Sequence, residues 1–121
     1  MKPVFDTNIL IDYLTGKPPA RIELLRYHEA RISVITWIEV MAGARDKEDE
    51  AVLRAFLHGF ETIPLDDQVA EIAVRIRKDH RLRLPDALIW AAAKSTDSVL
   101  ITRDTRDYPA DDPEIRVPYT L

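Results

Sequence analysis

Val4-Phe5-Asp6-Thr7-Asn8-Ile9-Leu10-Ile11-Asp12 carries an acid and two short polar residues between two apolar runs of different character. Pro3 to Asp6 reads as a short strand. Asn8 to Leu14 reads as a short helix, closed by Thr15-Gly16-Lys17-Pro18-Pro19. A carboxylate therefore stands where a buried strand hands over to a helix. The same arrangement, an acid where an apolar run meets helix pattern, returns at Glu39, Asp86 and Asp104.

Outward from this segment the pattern repeats. A second helix is expected from about Pro19 to His28, with Ile22, Leu25 and Leu24 on its inner face. Ile32-Ser33-Val34-Ile35 is β-branched and short, which predicts a buried strand, with Thr36 beginning a helix that ends near Gly43. Asp46 to Phe60 sets Val52, Leu53, Phe56, Leu57 and Phe60 at helical spacing behind an acidic first turn, which suits the positive end of the helix dipole. Glu61 to Pro64 predicts a third strand. Asp66-Asp67 opens a long helix with Val69, Ile72, Ala73 and Ile76 inward, and Pro85 sits in the first turn of another. Val99-Leu100-Ile101 is a fourth strand and Ile115 to Val117 a fifth, with the last dozen residues otherwise irregular. Strands alternating with helices require right-handed crossovers, so the fold class is α/β: a three-layer sandwich around a four- or five-stranded parallel sheet.

At 121 residues, with no repeat, low-complexity tract or flexible linker, the chain is expected to form one domain over 1–121. Hydrophobic residues at 46% and charged residues at 31% match a soluble globular protein. The longest apolar run, Ala87 to Ala93, is far short of the ~18 residues of a membrane span, so no membrane partner is expected. An acid within the first few residues leaves no secretory apolar region, and the absence of cysteine removes disulfides and thiolate metal sites, so the cytoplasm is the expected compartment. A net charge of -4 argues against a broad basic face but leaves room for local basic clusters that bind phosphate backbones.

Each acid has a local explanation. Asp6 suits a helix N-cap, and Thr36-Trp37-Ile38-Glu39 fits a capping box. Asp86 follows a proline at the start of a helix, where the dipole favours a carboxylate. Asp104 and Asp107, in Thr102-Arg103-Asp104-Thr105-Arg106-Asp107-Tyr108, suit Asx turns. A single alternative covers them all: in an open parallel sheet, ligands bind beyond the carboxyl ends of the strands, where these acids would gather. Clustered carboxylates raise one another's pKa unless a cation compensates them. Magnesium, which takes oxygen ligands and leaves histidine and thiolate unused, does so.

The combination of Asp6-Thr7-Asn8, Thr36-x-x-Glu39, Leu84-Pro85-Asp86-Ala87-Leu88-Ile89 and Ile101-Thr102-Arg103-Asp104-Thr105-Arg106-Asp107-Tyr108 resembles a PIN domain, and more narrowly the VapC-type toxins of bacterial toxin–antitoxin pairs. The likeness covers nearly the whole chain. It implies an endoribonuclease dependent on Mg2+ or Mn2+, held inactive by a small cognate antitoxin and usually homodimeric. It also implies that Asp6 and Asp86 are the principal metal ligands and Glu39 the second acid of a quartet. The fourth acid departs from the family pattern, which has Asn at the place of Asp104 and its acid at the place of Asp107. Asp104 is nearer the strand end, so both are retained. Thr7, Asn8 and Thr102 would orient carboxylates or a bound water, or serve as cap and turn residues.

Arg75, Arg77, Lys78, His80, Arg81 and Arg83 cluster before Asp86, and Arg103 and Arg106 flank the last acids. These cations either track an RNA backbone or complement a helix C-terminus. His28, His58 and His80 share no close spacing, which argues against a histidine-based ribonuclease. Trp37, Ile38, Val40, Met41 and Trp90 belong either to the core or to a dimer or antitoxin interface. The rival reading is a receiver-type phosphoacceptor signalling domain with a magnesium site. Asp6 lacks the neighbouring acid such domains carry, the third strand leads to Pro64-Leu65, and Thr102-Arg103 offers no lysine. Gly16, Gly43 and Gly59 make no phosphate-cradling loop.

Overall fold

The computed structural model describes residues 2–121. Five strands form one parallel sheet: β1 (Pro3–Phe5), β2 (Arg31–Ser33), β3 (Glu61–Ile63), β4 (Val99–Ile101) and β5 (Ile115–Arg116). Their spatial order is β3-β2-β1-β4-β5. The first strand is thus central, with Val4 level with Arg31 on one side and with Leu100 on the other. Early strands extend the sheet one way and late strands the other, so the direction of winding reverses between β1 and β4. A crevice opens beyond the carboxyl ends of strands at such a reversal.

Six helices cover the two faces: α1 (Thr7–Leu14), α2 (Pro18–Leu25), α3 (Val34–Ala42), α4 (Lys47–Leu57), α5 (Asp67–Asp79) and α6 (Leu84–Ser95). Alternation along each strand divides the core. Val4 and Leu100 point to a layer with Val69, Ala73 and Ile76 of α5 and with Ile89 and Trp90 of α6. Phe5 and Ile101 point to the opposite layer, with Ile9, Leu10, Ala20, Val40, Leu53 and Leu57. Trp90 is buried edge-on to Tyr108, with ring centroids 6.1 Å apart, and so belongs to the core. Trp37 is half-buried against the second core with Arg54 over its ring, whereas its neighbour Ile38 faces out. Among the described residues no helix is long and apolar enough to cross a membrane.

The sequence misplaces three details. The inner face of α2 is Ala20, Glu23 and Leu24, while Ile22 and Leu25 are 64% and 75% exposed. Glu23 is drawn inward by Arg116, whose Nε and Nη2 donate to its two oxygens at 2.7 and 3.1 Å, and by the Tyr27 hydroxyl at 3.3 Å. The second strand stops at Ser33, whose hydroxyl caps α3 by accepting from the Ile35 amide, so Val34 and Ile35 are helical and Thr36 lies inside the helix. There is accordingly no Thr36–Glu39 capping box. In α4, Val52 is exposed and Leu53 and Leu57 carry the burial.

Candidate active site

Asp6 follows β1 directly and caps α1, with its Oδ1 accepting from the Thr7 amide at 2.8 Å. Its Oδ2 accepts from the Thr102 hydroxyl at 2.8 Å and from the Asn8 side-chain amide at 3.3 Å. The capping role and the site role therefore fall on one carboxyl group. Burial pushes the Asp6 pKa up to about 7; the bonds from Thr102 and Thr7 oppose this, and the charges of Asp86 and Glu39 add to it.

Glu39 reaches the same place from α3. Its Oε1 accepts from the Thr7 hydroxyl at 2.6 Å, and that hydroxyl also lies 2.9 Å from the buried Thr36 hydroxyl. Asp86 arrives in the first turn of α6, started by Pro85. Burial raises its pKa, the paired Arg83 guanidinium counters this, and the Asp107 and Asp104 charges push it further up. Arg83 Nε and Nη2 each lie 3.2 Å from Asp86 Oδ2. Tyr108 fixes this helix start from beneath, its hydroxyl donating to the Asp86 carbonyl at 3.2 Å.

Asp104 stands just beyond β4. Its amide donates to the Thr102 hydroxyl, and its Oδ1 accepts from the amides of Arg106 and Asp107 at 2.9 and 3.2 Å. Burial pushes its pKa up, but these two amides, with the Asp107 side chain and the Arg106 charge, hold it below the usual carboxylate range. Asp107 is exposed, one turn away.

Asp6, Glu39, Asp86 and Asp104 line one cleft of about 260 Å³, together with Thr7, Asn8, Ile11, Arg83 and Arg103. Asp107 does not line it. Among the described residues, no three acidic or histidine side chains converge on a single point at metal-ligand distance. The donor set nevertheless suits a hard divalent ion. It offers only oxygens, it comes from four separate chain segments, and Asp6 and Asp86 have raised pKa values, through burial first and through neighbouring carboxylate charges after it.

The basic residues divide into groups. Arg83 and Arg103 enter the cleft. Arg77, Lys78 and Arg81 line a separate surface cavity of about 480 Å³ with His80. Arg75 and Arg106 are solvent-exposed outside both. Sequence reasoning missed Asp12, a buried acid in α1 that takes both Arg103 Nε and Nη2, as well as the Tyr119 hydroxyl that joins it. The available signal was a carboxylate four residues after Asn8 on the face of an otherwise apolar helix.

Fold and cleft together define an α/β protein with a carboxylate-lined site at the switch point of its parallel sheet. The PIN domain model matches residues 4–111, and the chain belongs to the PIN-domain family. It is 32% identical to Ribonuclease VapC19 of Mycobacterium tuberculosis, over 96% of this chain and 98% of that one. Among solved structures, a toxin-antitoxin complex from Klebsiella pneumoniae matches with TM-score 0.92 and 40% identity, covering 98% of this chain and 99% of that one. DNA-bound VapBC from Salmonella typhimurium matches with TM-score 0.80 and 28% identity, covering 96% of each chain. The receiver alternative falls with this membership. Its phosphoacceptor would stand after β3, where Pro64 and Leu65 lie at the sheet's edge-strand end.

Proposed function

We propose that the chain is a cytoplasmic, metal-dependent endoribonuclease toxin of the VapC type, neutralised by a cognate antitoxin and assembled as a homodimer. The observation that carries this reading is the buried Asp6, with its pKa near 7, sharing one cleft with the acids of three other segments. Asp6 and Asp86 would hold Mg2+, or Mn2+ in its place, with Glu39 and Asp104 or Asp107 completing the oxygen set. When bound, the ion supplies charge neutralisation on the phosphodiester and acidifies a water for attack.

The chain's own groups do the rest. Thr102 and Asn8 hold the Asp6 carboxyl in place through its Oδ2, and the Thr102 bond favours its ionised form. Thr7 turns the Glu39 carboxylate inward. Arg83 and Arg103 bring positive charge to a cleft that would otherwise repel a polyanion. The Arg77, Lys78 and Arg81 cavity offers further positive charge for the RNA backbone outside the cleft. Support for an antitoxin partner comes from the Klebsiella and Salmonella relatives, which are toxin–antitoxin assemblies.

The test is RNA cleavage by the wild-type chain and by Asp6→Asn and Asp86→Asn, with folding followed by circular dichroism. Cleavage is expected with Mg2+, is lost on adding a chelator, and is absent from both folded variants. Undiminished cleavage in both variants would remove the metal-site reading.

A further inference from the structure

Asp12 lies in the last turn of α1 and is only 3% exposed. A carboxylate in such a place is tolerated only when paired. Its partners come from two distant segments: Arg103 donates through Nε at 2.5 Å and Nη2 at 3.1 Å, and the Tyr119 hydroxyl donates to Oδ2 at 2.8 Å. One turn earlier on α1, Asn8 Oδ1 accepts the Arg103 main-chain amide at 3.3 Å. Arg103 is thus gripped by its backbone and by its guanidinium, from two residues on the same face of one helix.

The arrangement has a direction. Arg103 lines the acidic cleft and Asp12 does not, so the arginine is the member of the pair that borders the site. A guanidinium has five N–H donors, and a fork through Nε and Nη2 leaves the Nη1 pair free. The other cleft cation, Arg83, is committed to Asp86 through both Nε and Nη2 and is largely solvated. Arg103 is therefore the cation of this cleft that is held rigid without being neutralised by one of the cleft's own acids.

We propose, resting on the ribonuclease reading, that Arg103 binds the non-bridging oxygens of the RNA phosphodiester in the cleft, and that Asp12, assisted by Tyr119, is the positioning residue that aims it. A purely structural pin between α1 and the segment after β4 would affect stability alone. A positioning role makes the two residues act as one unit in turnover.

The experiment measures steady-state RNA cleavage with Mg2+ and, separately, Mn2+ binding by electron paramagnetic resonance, for the full chain carrying Arg103→Ala, Arg103→Lys, Asp12→Asn, Tyr119→Phe and the Asp12→Asn/Arg103→Ala double change. Arg103→Ala is expected to lower kcat/KM by about a hundredfold, the scale of a lost positioning clamp. Arg103→Lys recovers little of this, since an ammonium cannot make the fork. Asp12→Asn costs about tenfold alone and nothing further in the Arg103→Ala background, the signature of residues acting through one another. Mn2+ affinity is unchanged throughout. Wild-type kcat/KM in folded Arg103→Lys, or additive losses in the double change, overturns the proposal. If Asp12→Asn does not fold, Arg103→Lys and Tyr119→Phe, which leave Asp12 in place, decide it. A wild-type chain that cuts no RNA with any divalent ion defeats the ribonuclease reading itself. Cleavage that depends on Asp6 yet tolerates Arg103→Ala defeats only this inference.

Discussion

The Thr102 hydroxyl donates to Asp6 Oδ2 at 2.8 Å, joining the residue after β4 to the residue after β1 across 96 positions of sequence. The bond stabilises the ionised form of a carboxyl group whose burial opposes ionisation. Thr102→Val removes the donor while keeping the shape, so the metal-free Asp6 pKa should move up from about 7. Divalent-ion binding requires the carboxylate and should weaken most below neutral pH. Mn2+ titrations of wild type and variant at acid and alkaline pH should show the gap narrowing as pH rises.

Asp6 also makes folding stability depend on pH. Its folded pKa of about 7 lies above the ordinary aspartate value of 3.8, so between these values the folded chain keeps a proton that the unfolded chain has lost. Stability therefore falls as pH rises through this window, by on the order of 2–4 kcal/mol in metal-free protein. Asp6→Asn cannot titrate and should lack this component. Urea unfolding of both proteins from pH 4 to pH 8, with chelator present, should give curves that diverge as pH rises; parallel curves would contradict it.

The two candidate fourth acids are separable by substitution. Asp104 lines the cleft, whereas Asp107 touches it only through its charge on Asp86. Asp104→Asn should cost about ten- to a hundredfold in cleavage rate, the scale seen when a metal-site group is removed, and Asp107→Asn much less. Equal losses in single-turnover assays would return Asp107 to the site.

Glu23 and Ile22 invert the usual ranking of a core. Glu23→Ala leaves Arg116 without its bidentate partner and should cost about 3 kcal/mol, toward the low end for a broken buried pair because Arg116 is partly solvated. Ile22→Ala, on the exposed face, should stay within about 0.5 kcal/mol. Thermal denaturation of the two variants checks the order.

What the sequence revealed follows from what local chemistry can encode. The strand-to-helix handover at Asp6 is written in adjacent residues, and so are the Asp66 cap of α5 and the Pro85 start of α6. The inner face of α2 was not legible, because Glu23 is buried by an arginine 93 residues away. The start of α3 was misread because Val34 and Ile35 have strand propensity, which the Ser33 cap and packing override. At the site, four acids were visible as a repeated motif, whereas Asp12 makes sense only once Arg103 and Tyr119 have been folded against it. Long-range ion pairs leave little trace in periodicity.

The central position of β1 sets a timetable for synthesis. The strand made first waits beside β2 for a second neighbour that is encoded nearly a hundred residues later. Asp6 gains its Thr102 bond, and the cleft its Asp104 wall, only after that late segment leaves the ribosome. On the ribonuclease reading proposed above, a nascent chain that stalls before β4 holds Asp6 and Glu39 but not the late groups that complete the cleft around them.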